Sequence, residues 1–564
     1  MDAALSLRSS SSRPPLRLGI LIDTKVLPAC LSEALDHVLH SNFAQLALVV
    51  YNGSAPRGAA DKPPSGEFLF RLYERWDTRH ASEAEDPVRP VDCTAALNGV
   101  ESMTVAPVAN DGVLELPEGA VRTIREKNID VLIRLGFDGL AGSTGKAARH
   151  GMWFYEFSDD AHRGGPAYFW EVYENTIVSG AALLASSGGP EGERVLCRGF
   201  FSTSAGVSWA RNRVQPYWGS STFLIQKLRQ LHEHGWDCVE SQMDPMAPRT
   251  HRNYSVPSNA QMLRWFGPLA AGAFARRARS VARGQVFPHW TLAVNPGKRS
   301  GIGSRSSADL SAFEWIDAPR GHFYADPFLI KHLDKPWVFF EDYDYSTQKG
   351  AIVCAEVIED GRLSKTIPAL ERPYHLSYPC VFYDRGALYM IPESLANGTV
   401  DLYRCLRFPD VWEPVKTLLH APAVDTTVWI EDGKYWFFVT LQERRAAGLQ
   451  LWLFHSNALD GEWISHPWNP ISTDVRSSRG GGAIYRRDGE LIRPSQDCSG
   501  NYGRRFDLNE ITVLNTAEYR ERPCASVEAD GLRDMVGTHT YTRLDHIEMI
   551  DGCAFLPARR VLAR

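Results

Sequence analysis

Carboxylates recur at matched places in the second half of this 564-residue chain. Asp326 and Asp425 each open a short apolar stretch, AlaAspProPheLeuIle (325–330) and ValAspThrThrValTrp (424–429). Glu341, Glu393, Glu443 and Asp497 each end the stretch that follows such an opening. Two carboxyl groups flanking one bond, one protonated and one ionised, are the equipment for acting on a glycosidic linkage. Asp326, Asp425, Glu393 and Asp497 are therefore the candidate catalytic residues. Glu341, Tyr378, Trp429, Arg493 and His539 are the candidate substrate-binding residues: an acid, two rings to stack on a sugar face, and two groups for a hydroxyl or phosphate. Each has a plain structural alternative. AspPro can cap a turn, ProGluSer (392–394) can tie strands, Arg493 can pair with Asp497, and His539 can be a core residue. The spacing names no metal-ligand set, and a cation in a channel beside His539 stays open.

The elements that must position these groups repeat. Openings at Asp326, Pro379, Asp425, Gly482 and His539 recur at steps near 50 residues, the signature of a stacked or radial array. Each copy has an apolar strand, a tight turn such as AspArgGly (384–386), GluAspGlyLys (431–434) or ArgAspGly (487–489), and a returning strand. AspGly and ArgGly supply the positive φ that hairpins require. Third strands follow at 351–357, 400–405 and 449–455. Five such units predict a five-bladed β-propeller with four-stranded blades, a long β-sandwich being the alternative. In a propeller the first strand of each blade lines the channel, so the starts of those strands converge at one mouth. Tyr324, Tyr378 and Trp429 are expected there. HisTrpThrLeuAlaVal (289–294) is expected to pair with the last blade and close the ring.

The first half alternates strands (16–23, 44–51, 129–137, 152–157) with a helix over 29–40, which implies a parallel α/β sheet. A ligand crevice would lie at the strand ends, near Asp23, Asn52, Gly136 and Glu156. GlySerThrGlyLys (142–146) resembles a phosphate loop but lacks the usual spacing, and it reads as an ordinary loop.

AspValLeuIleArgLeuGlyPhe (130–137), HisGly (150–151) and ArgGlyGlyProAlaTyrPheTrpGluValTyrGluAsn (163–175) resemble the formyltransferase domain of sugar and tRNA formyltransferases. The resemblance implies a Rossmann-type fold over roughly 16–240. The family's catalytic Asn and His fall on Phe154 and Glu156, which cannot polarise a formyl carbonyl. Phe154, Glu156, Ser158 and Arg163 thus form a degenerate formyltransferase site, and the folate formyl donor is not carried over. TyrAlaAspProPhe (324–328), LeuAspGlyGluTrpIleSerHisProTrpAsnProIle (459–471) and ArgGlyGlyGlyAlaIle (479–484) resemble five-bladed glycoside hydrolases of the arabinanase and invertase type. With ArgProSerGlnAsp (493–497), TyrGly (502–503) and GlyThrHisThr (537–540), the set is similar to the N-terminal domain of plant glucosamine inositolphosphorylceramide transferases. This second resemblance implies that Asp326 is the base or nucleophile.

Composition sets the remaining bounds. Net charge is −6 and the pI near 6.3, which does not suggest nucleic acid as a partner. Ten scattered cysteines without a CxxC read as free thiols in a reducing compartment. There is no signal-peptide h-region and no spanning apolar stretch, so a cytoplasmic location is expected. The domains expected are a disordered leader (1–15), the formyltransferase-like α/β domain (16–245), a basic helical linker (246–284) and the propeller (285–564). Residues 258–283 are helical and Arg-rich, fit either for an anionic membrane surface or as an interdomain helix. Three functions remain open: action on a glycosidic linkage or sugar conjugate in surface polysaccharide or glycolipid assembly, by a glycosyltransferase or glycoside hydrolase-like enzyme taking a sugar or nucleotide sugar; non-catalytic carbohydrate binding; and N-formylation of an amino sugar.

Overall fold

The computed structural model describes residues 7–54, 65–79, 85–110, 113–158, 162, 164–188, 192–204, 208–245, 254–267, 286–297, 301–302, 310–358, 361–442, 449–529 and 534–561. They form two compact units divided near residue 270.

The first unit is built on an eight-stranded sheet. Its spatial order is Ser102–Val105, Ala44–Asn52, Leu16–Ile22, Val131–Arg134, Met152–Glu156, Val178–Ser186, Glu193–Ser202 and Asp244–Pro245. The first five strands are parallel and the last three antiparallel. Both faces are covered, which is why these strands read as continuous apolar runs. Leu18, Ile20 and Ile22 pack with the helices Ala29–His40 and Phe223–His234, while Leu21, Leu48 and Val50 pack with Glu118–Glu126. Strand order reverses between Leu16–Ile22 and Val131–Arg134, the place where open α/β sheets leave a crevice. Asp23, Asn52 and Gly136 do meet there, but they satisfy one another. Asp23 Oδ1 accepts from Asn52 Nδ2 at 2.8 Å and from the Phe137 amide at 3.0 Å.

The 142–146 loop is a short 3-10 turn whose Ser143 amide and hydroxyl both donate to the Glu115 carboxylate at 2.9 Å. Two expectations are corrected. In the leader, Ser9 is fixed by Asn42 (2.8 Å) and His232 (2.9 Å), because its backbone and hydroxyl find buried partners. Residues 254–267 belong to the first unit rather than to a linker, since Met262 and Trp265 pack with Phe70 and Tyr73. Residues 268–284 lie outside the described residues.

The second unit is the expected five-bladed propeller. Blade one comprises His322–His332, Lys335–Asp344, Lys349–Glu356 and Ile367–Leu370. Blade two comprises Ser377–Asp384, Ala387–Glu393, Thr399–Arg407 and Val411–His420, and blade three Ala423–Glu431, Lys434–Leu441, Gln450–Ser456 and Ile464–Ser465. Blade four has a divided inner strand, Arg479–Gly480 and Tyr485–Arg487, then Glu490–Asp497, Arg505–Leu514 and Tyr519–Glu528. Blade five joins both ends of the unit. Val286–Asn295 pairs in full with Ile547–Pro557, as expected, and Glu314–Ile316 adds the outer strand. Leu292, Val294 and Met549 of this seam pack directly on Val338 and Phe340 of blade one. Leu292→Ala is therefore expected to cost about 2–5 kcal/mol. Denaturant unfolding checks this; a loss well under 1 kcal/mol would show that the seam is not a structural requirement.

Candidate active site at the propeller channel

A repeated backbone device aims the chemistry. In three blades the inner strand breaks register at a residue with positive φ: Asp326 (54°), Tyr378 (42°) and Asp425 (49°). Such φ values are uncommon outside glycine, and a bulge re-aims one side chain out of the strand's alternation. The structural equivalent of Asp326 in blade two is thus Tyr378, one residue before the Pro379 that the repeat suggests. In blade four the place falls to Gly482, at φ 128°, where a Cβ would sit 1.9 Å from the Tyr541 carbonyl oxygen.

The second strands of blades one, two and five carry acids that face these bulges: Glu341, Glu393 and Asp551. Asp551 Oδ2 accepts from the Asp326 amide at 3.2 Å, and Glu393 Oε2 accepts from the Asp425 amide at 3.2 Å. Asp326 Oδ2 accepts from the Tyr378 amide at 3.2 Å, and its Oδ1 accepts from the Thr540 hydroxyl at 2.9 Å. His539 lies between acids, with Nδ1 2.7 Å from Asp551 and Nε2 3.6 Å from Asp326. Its ring stacks on Trp290 at 3.9 Å. Arg479 pairs with Asp425 at 2.5 Å, and its guanidinium lies over the Tyr502 ring. Glu341 is only 5% exposed and has no hydrogen-bond partner at Oε1; His375 Nε2 stands 3.6 Å away.

The proton affinities divide the acids. Burial, aided by Asp551 and Asp425, pushes Asp326 up to about 6 against the pull of His539. Burial and the Asp425 charge push Glu393 up to about 8. Burial, then the charges of Asp326, Glu393 and Asp551, push Glu341 well above the carboxylate range. Burial opposes a charged His539, but Asp551 prevails and raises it, while His539 and backbone amides hold Asp551 low. Near neutral pH the cluster therefore contains protonated Glu341 and Glu393 beside an ionised Asp326.

Asp326, His539 and Asp551 also form a group with ligand atoms within 4.8 Å of one another. It bears on the expectation of no metal ligands and on the open channel cation. These atoms can hold a cation only with His539 neutral, and the raised affinity of that ring makes the imidazolium itself the cation between the two acids.

Other expected residues lie elsewhere. Asp497 is consumed by Ser499, Arg504 and Arg505, so none of its oxygens is left for catalysis. Arg493 is clamped by Glu521 at 2.6–2.7 Å rather than by Asp497, and it is almost fully buried. Tyr378 is fully buried; its hydroxyl ties Thr427 to Gly482 and its ring packs edge-on to Phe328, so it braces blades instead of stacking on a sugar. Trp429 is four residues beyond Asp425, about 13 Å along the strand, packed between blades three and four. Tyr324 packs on Phe340 in the seam core. Glu443 and Arg163 lie outside the described residues. In the first unit Phe154 is buried under the Arg134 guanidinium (4.1 Å), and Glu156 accepts from Ser158 at 2.8 Å.

Sequence reasoning missed Asp551, Arg479, Thr540, Trp290 and Tyr502. Asp551 stands on a second strand as Glu341 and Glu393 do, and that parallel was the available signal. Arg479 and Tyr502 stand inside recognised motifs but were given no role.

Residues 314–550 match the family model described as glucosamine inositolphosphorylceramide transferase 1, N-terminal. The protein named glucosamine inositolphosphorylceramide transferase 1 from Arabidopsis thaliana is 38% identical over 207 residues, which is 36% of this chain and 27% of that protein. Its namesake from Oryza sativa subsp. japonica is 37% identical over 209 residues, 36% of this chain and 28% of that protein. The chain thus spans little more than a quarter of the curated relatives it matches. Among solved structures, a family-43 glycoside hydrolase aligns at TM-score 0.29 and 15% identity, covering 36% of this chain and 76% of its own. The catalytic domain of a GH62 α-L-arabinofuranosidase from Coprinopsis cinerea aligns at 0.34 and 13%, covering 44% and 98%.

A carboxyl with raised affinity binds its proton more tightly folded than unfolded, so stability falls as pH rises between the two values. For Glu393 that window runs from the ordinary glutamate value of 4.5 to about 8. Glu393→Gln keeps an acceptor for the Asp425 amide and removes the penalty. Its thermal midpoint relative to wild type should rise steadily between pH 5 and pH 8; an unchanged or falling difference would refute the assigned protonation.

Proposed function

We propose that the propeller channel acts on the glycosidic linkage of a sugar or nucleotide sugar, in the assembly of a surface polysaccharide or glycolipid. The observation that carries this is the split between Asp326, pushed up to about 6, and Glu393, pushed up to about 8. Between those values one carboxyl is ionised and its neighbour protonated, the division of labour that glycosidic chemistry requires. Glu393, part-buried, is the proton donor to the leaving oxygen. Asp326 is the base or nucleophile, and Asp425 with Arg479 holds the charge around the reacting ring. Glu341 donates a hydrogen bond to a sugar hydroxyl. Transfer is favoured over hydrolysis by the names of the curated relatives, whose matching stretch falls within the propeller. Among the described residues no helix is long and apolar enough to cross a membrane. A cytoplasmic or membrane-peripheral location belongs to this proposal.

A second reading, carbohydrate binding without turnover, is favoured by one observation: both Asp326 oxygens already accept hydrogen bonds. Formyl transfer in the first unit has no comparable support, because Phe154 is part of the core and Glu156 is an acid.

The test is turnover of nucleotide sugars and aryl glycosides, including glucosamine donors with inositolphosphorylceramide as acceptor. Wild type should show a bell-shaped pH profile with limbs near 6 and 8. Asp326→Asn and Glu393→Gln should each lose at least about 100-fold, the usual contribution of a general acid or base. Ligand binding without turnover in all three proteins would establish the second reading instead.

A further inference from the structure

The helix Phe68–Arg79 of the first unit is apolar on two faces. One face is spent on the core. Phe70 and Tyr73 pack with Phe169, Trp209 and Trp265, and Asp77 accepts from the Tyr73 hydroxyl (3.2 Å) and the Ala210 amide (2.7 Å). The other face carries Phe68, Leu72 and Trp76, spaced at i, i+4 and i+8, and these are 63%, 55% and 52% exposed. Four-residue spacing lays them in one stripe. The neighbouring helix, 259–267, is bound to the first by the Leu69 amide on Asn259 Oδ1 at 2.8 Å, and it adds Leu263 at 65% exposure with exposed Arg264 beside it.

Among the described residues, the charged side chains that share this face are cationic. Arg75 and Arg79 follow Leu72 by three and seven residues, share its face and are exposed. The helix's acids stand on the opposite flank, where Glu67 and Glu74 both pair with Arg71 at 3.5 and 3.1 Å. Soluble proteins seldom leave a large apolar stripe exposed without a use for it. An apolar stripe bordered by guanidinium groups has the chemistry of a helix lying in the headgroup region of a bilayer.

We propose that the helix Phe68–Arg79 is a docking surface for an anionic lipid bilayer. Phe68 and Leu72 enter the acyl boundary, while Arg75 and Arg79 engage lipid phosphates and carboxylates. This surface is distinct from the propeller channel and does not depend on the reaction proposed for it.

Flotation of the full chain with vesicles tests this. The vesicles are phosphatidylcholine alone or phosphatidylcholine with phosphatidylserine at about 7:3, at low and high salt. Wild type should float with the anionic vesicles, and high salt should release it. Phe68→Ser/Leu72→Ser and Arg75→Glu/Arg79→Glu should each weaken binding at least about tenfold. Because all four positions are exposed, thermal unfolding should stay unchanged and exclude misfolding as the cause. Absence of wild-type flotation, or equal flotation of the variants, overturns the proposal. So does self-association of wild type that Phe68→Ser/Leu72→Ser abolishes without any lipid binding, which would make the stripe a protein interface.

Discussion

Asp551 is fully buried, yet it accepts backbone N–H groups from His539, Thr540 and Asp326 and holds the His539 ring at 2.7 Å. Its strand belongs to blade five and Asp326 to blade one, so this one carboxylate ties the seam at which the ring closes. The same contact sets the electrostatics of the channel. By charging His539 it places a cation beside Asp326, and by its own charge it discourages Asp326, and Glu341 beyond it, from ionising. Closure of the propeller and protonation of the site are therefore a single arrangement.

Burying charge is expensive unless it is paired and hydrogen-bonded. Among the described residues, the channel gathers five acids, Asp326, Glu341, Glu393, Asp425 and Asp551, against the cations His539 and Arg479. Full ionisation would leave a net negative cluster away from water. Protonation of Glu341 and Glu393 relieves it, which is why their affinities rise while Asp551, with three amides and an imidazolium, is held low. Groups forced to opposite protonation states within one concave region are a recurrent mark of chemical function.

Much of the second unit was legible because hairpins repeat a local rule: apolar strand, AspGly-type turn, apolar strand. The seam was legible for the same reason, since a strand left over before the first blade needs a partner. What failed was longer in range. The partners of Arg493 and Asp497 are Glu521 and Arg504/Arg505, fixed by strand register within blade four, which spacing alone does not give. Tyr324 and Trp429 were misplaced because aromatic rings look alike in sequence whether they line a channel or fill the gap between blades. Pro379 was aligned with Asp326 because the bulge, which moves the aim by one residue, is a backbone event with no letter of its own. In the first unit the strand at 16–22 and the helix at 29–40 were plain. The antiparallel pair at 178–186 and 193–202 escaped, and so did the helix at 68–79, whose two apolar faces blur the usual amphipathic pattern.

The glycine run at 480–482 changes how the acid set should be counted. If each blade must contribute an acid from its inner strand, blades two and four leave the site deficient, with Tyr378 and Gly482 at the key positions. Yet a Cβ at Gly480 would lie 2.7 Å from both the Asp425 carbonyl oxygen and the Tyr378 hydroxyl. The run is small because two neighbouring blades press against it. That closeness lets Arg479 reach Asp425 and lets the Tyr378 hydroxyl accept from the Gly482 amide. The inner strands of blades two and four thus brace the channel, and the acids Glu341, Glu393 and Asp551 arrive from second strands instead. A gap in the inner-strand pattern is then compatible with a complete set of proton donors and acceptors, differently distributed around the ring.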